Sequence, residues 1–264
     1  MSSPSNSFPQ TPPVKEDKFY RARIIERKDF SSDLWRIRVD PGGEFHYAPG
    51  QYATLGVHSP SKHVERPYSI VSSPEEPELE LFIELVPEGE LTPHLYHLAE
   101  GAEVVVRRKT KGLFLRGAPV DAEDHLFAAT VTGIAPFCSM LRTLVRRWRD
   151  QEWKTERRLI LLLGASRSYE FGYLEEMNAL AAEVPWFEFV PTVSRPWEDA
   201  EWPGETGRVE DILRKYADAY GVKPGSAGVY LCGHPQMIAN ARGIMLRRGF
   251  SDKEIREEQY WPDK

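Results

Sequence analysis

The hydrophobic pattern changes its period partway along the chain. From Phe19 to about residue 117 the apolar positions come in short alternating runs: FYRARIIERKDF (19–30), LWRIRVD (34–40), RPYSIVSSP (66–74), LELFIELVP (79–87) and AEVVVRRKTK (102–111). Alternation marks strands that bury one face. Gly and Pro breaks such as PGG at 41–43 separate them. This grammar predicts a closed antiparallel barrel or a sandwich. One short helix interrupts it at 92–101, where Thr precedes Pro, Leu95 and Leu98 follow, and Gly ends the segment.

After residue 123 the pattern becomes strand, helix, strand, helix. HLFAATV (125–131), RLILLLGAS (158–166), FEFVPTVSR (187–195) and AGVYLCGHP (227–235) are strand candidates. RLILLLGAS is apolar throughout, as central parallel strands are. Segments 135–151, 173–184, 208–221 and 235–249 carry helical spacing. Such alternation predicts a parallel sheet with helices on both faces. The expected domains are a disordered lead-in over 1–18, an antiparallel β domain over 19–117 and an α/β domain over 123–264.

Composition narrows the function. The 264 residues are 41% hydrophobic and 28% charged, as in soluble globular proteins. A net charge of −6 argues against nucleic acid as the main partner. No apolar run is long enough to span a bilayer, and MSSPSNSFPQTPPVKED has no signal-peptide core. Cys138 and Cys232 are far apart, which excludes a cysteine-ligated cluster or zinc site within the chain and suits a reducing cytoplasm. No metal site is expected.

Candidate chemistry sits at a few points. In RPYS (66–69), Arg66 offers a phosphate-fitting fork, Pro67 fixes the backbone, Tyr68 a flat ring and Ser69 a small donor. Strand alternation puts Arg66 and Tyr68 on one face and Ser69 on the other; an ordinary edge strand reads the same way. TVTGIAP (130–136) joins a strand to a helix, and Gly133 there permits close approach of a ligand or simply a tight turn. Arg167, the Ser194-Arg195 pair and Arg208 follow strand ends, where ligands of open α/β sheets bind; together they suit an anion clamp. Cys232 ends a strand, either as a small hydrophobe or against a reactive ring. His234 reads as a turn residue. The tail EEQYWPDK either pins the terminus or covers a flat ligand.

As a set, these motifs resemble the ferredoxin–NADP(+) reductase family, in its bacterial flavodoxin/ferredoxin reductase branch. The resemblance spans about 19–261 and rests on RPYS (66–69), GELTPHL (89–95), TGIAP (132–136), VSR and GR (193–195, 207–208), CGHPQM (232–237) and the terminal E-x-Y-W (258–261). It implies an FAD-binding antiparallel barrel followed by an NADP-binding α/β domain. By the same resemblance, Arg66, Pro67, Tyr68, Ser69, Ile83, Glu84, Leu85, Glu90, Leu91, Thr92, Thr132, Tyr260 and Trp261 contact FAD. Arg167, Ser194, Arg195, Arg208 and Cys232 contact NADP, and Ser69, Cys232 and Glu258 surround the transfer line. The implied reaction moves a hydride between NADPH and FAD and single electrons between FAD and ferredoxin or flavodoxin. Such an acidic carrier would dock on Arg107, Arg108, Lys109 and Lys111, or on Arg142, Arg146, Arg147 and Arg149. Alternatives are an oxygenase reductase component, an NAD(P)H–flavin reductase, or a non-enzymatic flavin relay subunit. Two departures stand out: Val131 precedes Thr132 where the family usually has Gly, which is expected to weaken or shift nucleotide binding, and Pro262-Asp263-Lys264 follow the Trp.

Overall fold

The computed structural model describes residues 18–58, 63–116, 122, 124–152 and 157–260. The expected lead-in up to residue 17, the boundary near 117–123 apart from Ala122, and Trp261 to Lys264 lie outside the described residues. Among the described residues no helix is long and apolar enough to cross a membrane, and no group of three or more His, Cys, Asp or Glu residues is placed to hold a metal.

Six strands form the first sheet: β1 (Phe19–Asp29), β2 (Leu34–Asp40), β3 (Tyr52–His58), β4 (His63–Ser69), β5 (Leu79–Glu84) and β6 (Glu103–Arg107). Their order is β4-β3-β6-β1-β2-β5, all antiparallel. The open edges nearly close: Ile70, just past β4, bridges Leu81 of β5, and Val71 N–H donates to the Glu80 carbonyl at 2.9 Å. A register shift between Ile24 and Glu26 bends β1. The alternating residues fill the barrel with Ile24, Trp35, Ile37, Leu55, Leu81 and Val106. A short helix α1 (Thr92–Tyr96) follows β5, and its Thr92 hydroxyl accepts from Val86 N–H at 2.9 Å.

The second sheet is parallel: β7 (Asp124–Thr130), β8 (Arg158–Ala165), β9 (Phe187–Val193), β10 (Glu205–Thr206), β11 (Ala227–Gly233) and β12 (Ile255–Gln259), in the order β10-β9-β8-β7-β11-β12. Helices α2 (Ala135–Arg149) and α3 (Leu174–Glu183) cover one face, meeting Phe127 and Leu161; α4 (Val209–Ala219) and α5 (Pro235–Arg247) cover the other, meeting Leu126 and Ile160. Alternate residues of each strand thus enter different cores, which is why these strands read as unbroken apolar runs. The α5 start combines Pro235 with a cap from His234, whose Nδ1 accepts Gln236 N–H at 3.1 Å. β12 has no counterpart in the expectations from the hydrophobic pattern; only Ile255 in it is buried.

The two sheets share a seam. Leu34, Val71 and Phe82 of the barrel side join the same apolar cluster as α2 and α3. At its centre Glu80, 2% exposed, accepts from Arg36 (3.0 Å), Arg142 (3.3 Å) and the Tyr173 hydroxyl (2.7 Å). Buried charge persists only when paired in this way. Ser139 of α2 adds a hydrogen bond to the Ser72 carbonyl at 2.7 Å.

Candidate functional site

Two cavities open where the barrel faces the carboxyl ends of the parallel strands. The barrel-side cavity, about 490 Å³, is lined by Arg66, Pro67, Tyr68, Ser69, Glu84, Glu90, Leu91, Thr92, Thr132, Glu258 and Tyr260, joined by Tyr52, Phe82, Ala135 and Gln259. The sheet-side cavity, about 510 Å³, is lined by Thr130, Val131, Thr132, Ser194, Arg195, Arg208, Glu210, Gly233, His234 and Gln236. Glu84, Thr132 and Tyr260 line both. Both volumes fall in the range of small-molecule sites.

On the barrel side, β4 presents the RPYS segment. Arg66 is half exposed at the mouth; it bonds its neighbour's carbonyl, Glu65 O, at 2.8 Å and pairs with Glu90. The Tyr68 ring lies against the barrel core, and burial raises its phenol above the usual range. Ser69 is buried at the end of β4, where it reaches the same cavity as Arg66 and Tyr68 in spite of the alternation. Its hydroxyl donates to Glu258 Oε1 at 2.8 Å, joining the two domains. Burial pushes the Glu258 carboxyl above its ordinary range, and the Ser69 hydrogen bond partly offsets this.

Glu258 reaches the site on β12, whose parallel pairing sets it beside Cys232. Tyr260 follows directly, its N–H on the Gly233 carbonyl at 3.4 Å. The Tyr260 hydroxyl is buried beside Cys232, Glu258 and Ser69 and meets hydrogen-bond geometry with none of them. Such a group is costly unless something else satisfies it. Trp261 lies outside the described residues.

Several expected contacts are not brought together. Cys232 is fully buried and lines neither cavity; burial raises its thiol well above the usual range. It sits behind Tyr260 because the turn at Gly133 presses onto β11: a Cβ on Gly133 would collide with the Cys232 carbonyl. Gly133 therefore closes a tight turn against β11. Ile83 and Leu85 belong to the barrel core, since strand alternation turns them away from Glu84. Arg167 lies outside the sheet-side lining, held by Glu198 and by Glu170 at 3.2 Å. Val131 has φ +42°, a left-handed backbone that β-branched residues rarely adopt.

Of the expected basic docking faces, Arg108, Lys109, Lys111, Arg146, Arg147 and Arg149 are exposed, and several of the cations are paired with carboxylates of this chain. Arg107 is in a bidentate pair with Glu65, Arg149 with Glu183, and Arg142 belongs to the Glu80 seam. Arg147 lies 3.6 Å from Glu75, and Arg146 4.0 Å from Asp150. Residues that sequence reasoning missed include Tyr52, Gln259, Glu210 and Gln236. The last two head α4 and α5 at the carboxyl ends of the sheet, a position that could have flagged them.

Comparison with known proteins agrees with this architecture. Residues 21–112 match the oxidoreductase FAD-binding domain and residues 127–243 the oxidoreductase NAD-binding domain. The chain is 28% identical over 243 residues to the phenol hydroxylase P5 protein of Acinetobacter pittii, covering 91% of this chain but only 65% of that protein. It is 26% identical to ferredoxin–NADP reductase A of Sorangium cellulosum, over 87% of this chain and 83% of that one. In fold it is similar to a ferredoxin NADP+ reductase from Neisseria gonorrhoeae with bound FAD and NADP, with TM-score 0.82, 23% identity, and 93% and 100% coverage of the two chains. An FAD-binding barrel followed by an NAD(P)-binding α/β domain, with the two cavities meeting between them, places the chain in the ferredoxin–NADP(+) reductase family of oxidoreductases.

Proposed function

We propose that this chain oxidises NADPH through FAD and passes single electrons to a small acidic carrier, a ferredoxin or flavodoxin. The observation that carries the reading is the meeting of the two cavities at Glu84, Thr132 and Tyr260. When bound, FAD supplies the exchange between a two-electron donor and a one-electron acceptor. The residues present fit it: the mouth offers an Arg fork, the wall a flat ring, and the depth an unsatisfied Tyr hydroxyl.

In this reading Arg66 leaves Glu90 to hold the pyrophosphate, since its present pair is solvent-exposed and easily exchanged. Pro67, Tyr68, Glu90, Leu91 and Thr92 shape the wall. Ser69 donates to Glu258 and holds that carboxylate near the junction, where it can keep or release a proton. Tyr260 stands between the cavities, so it must turn aside before a nicotinamide can approach. Cys232, now behind Tyr260, becomes part of that surface only when the ring moves. Arg195 and Arg208 support NADPH through its 2′-phosphate, with Ser194 beside them. Cytoplasmic location belongs to the same reading.

Likeness to the phenol hydroxylase P5 protein supports a second reading, the reductase component of an oxygenase. Anaerobic titration of the FAD-loaded protein with NADPH tests the main proposal: the flavin band at about 450 nm is expected to bleach, and added ferredoxin or flavodoxin to restore it. A yellow protein that neither NADPH nor NADH bleaches would instead be a relay subunit. Bleaching without carrier reduction would favour the oxygenase component.

A further inference from the structure

The segments after β8 and β9 carry more negative charge than positive. Arg167 and Arg195 lie there, and Glu198 lies between them: one carboxylate oxygen pairs with Arg167, the other is 3.8 Å from Arg195. Glu198 follows Arg195 in a single 3-10 turn, Pro196–Glu198. Two further carboxylates tie down these segments. Asp199 accepts Ser168 N–H at 2.6 Å, and Glu170 accepts Ser166 N–H at 2.8 Å. Both flanking Arg residues hold the Glu198 carboxyl below its ordinary range, Arg167 most strongly, so it is ionised at neutral pH. Arg208, across the cavity, has its own carboxylate, Glu210, at 4.0 Å.

An anion clamp selects a phosphate because its cations lack a better partner. Here Arg195 already faces a carboxylate on the same turn. A 2′-phosphate must displace Glu198 or share Arg195 with it, and the like charges repel. An unphosphorylated ribose brings no charge to Arg195 and leaves its pairing with Glu198 undisturbed.

We propose that Glu198, just outside the cavity lining, is a specificity-determining residue that levels the enzyme's choice between NADPH and NADH by neutralising Arg195, which lines the sheet-side cavity, and Arg167 beside it. The inference rests on the assignment of the sheet-side cavity to the dinucleotide. It makes the selectivity a balance of three Arg against the three Glu that pair with them, Glu170, Glu198 and Glu210, and not a count of Arg residues.

The test uses FAD-loaded wild type and Glu198→Gln, with a binding measurement independent of turnover. Calorimetric titration with adenosine 2′-monophosphate and adenosine 5′-monophosphate is expected to show about a tenfold gain for the 2′-phosphate in the variant and no gain for the 5′ isomer, the size expected for losing one charge repulsion near the surface. The NADPH/NADH ratio of kcat/KM should rise in parallel. Glu198→Asp, which keeps the charge, should stay near wild type and controls for disturbance of the turn. Equal change for both mononucleotides, or none, would overturn the proposal. If neither dinucleotide bleaches the wild-type flavin, the oxidoreductase reading fails, yet the mononucleotide titration still decides the role of Glu198.

Discussion

The two cavities that meet at Tyr260 are made of different material. The barrel-side wall is built largely from β-strands: Arg66 to Ser69 stand on β4, Phe82 and Glu84 on β5, Glu258 and Gln259 on β12. The sheet-side cavity is built from chain ends: the turn at Val131–Ile134, the segments after β8 and β9, and the first turns of α4 and α5. Strand positions are fixed by ladder hydrogen bonds and by a packed core beneath them. Turn positions are fixed by a few polar contacts, several of them exposed ion pairs such as Arg167–Glu198. On the proposed assignment this is a division of labour: the stiff wall would hold the resident group, and the adjustable one the group that comes and goes.

Both cavities depend on the seam staying intact, so the largest effect is expected there. Glu80→Ala removes the buried acceptor shared by Arg36, Arg142 and the Tyr173 hydroxyl, while Arg36 keeps Glu26 and Arg142 keeps Glu176, and should lower unfolding stability by about 2–3 kcal/mol, read from denaturant melts. Little change would mean that the domains hold together by apolar contact alone. Next, Arg66→Ala should weaken FAD binding roughly 10- to 100-fold, the worth of a charge-assisted pair, measured by flavin retention on dilution. Wild-type retention would remove the barrel-side assignment.

A smaller effect follows from the buried Glu258. Its folded pKa is raised, so the stability tied to its protonated form is complete below the ordinary carboxylate range and is lost as pH rises through the folded value. Glu258→Gln imitates the protonated acid. Its melting temperature should therefore match wild type in acid and exceed it towards neutrality, by on the order of 1 kcal/mol; a constant offset across pH would refute this. Smallest is Val131→Gly. Relief of the left-handed backbone is worth about 1–2 kcal/mol, and loss of a half-buried isopropyl group removes about 1 kcal/mol. Scanning calorimetry should show a net rise of up to about 2–4 °C; a fall would show that the side chain outweighs the strain.

The same contrast explains what the sequence made legible. Strand alternation and apolar runs announced both sheets, and the RPYS segment announced the barrel-side wall, because each is written in consecutive residues. β12 was invisible: it is an edge strand with one neighbour and one buried side chain, so IREEQ carries no pattern. Arg167 was expected at a phosphate, but its partner Glu198 lies 31 residues away, beyond any local signal. Cys232 was correctly seen at a strand end, yet its depth is decided by the Gly133 turn and by Tyr260 packing over it. Ile83 and Leu85 came along with Glu84 from a motif read as a block, where alternation separates them.

β12 also sets the reach of the residue that divides the cavities. Its ladder to β11 runs through Gln259, and the next amide, Tyr260 N–H, is still bonded to Gly233. The lever arm is thus one side chain long. Clearing the passage requires rotation about the bonds of Tyr260 and no peeling of the strand. The phenol is buried against Cys232, Glu258 and Ser69, so such a turn has to repack that neighbourhood. Rotation of a buried ring is slower than the rotamer flips of exposed side chains, yet it needs no domain hinging. On the proposed assignment, the passage between the two sites opens by that local repacking alone, with both domains left in place.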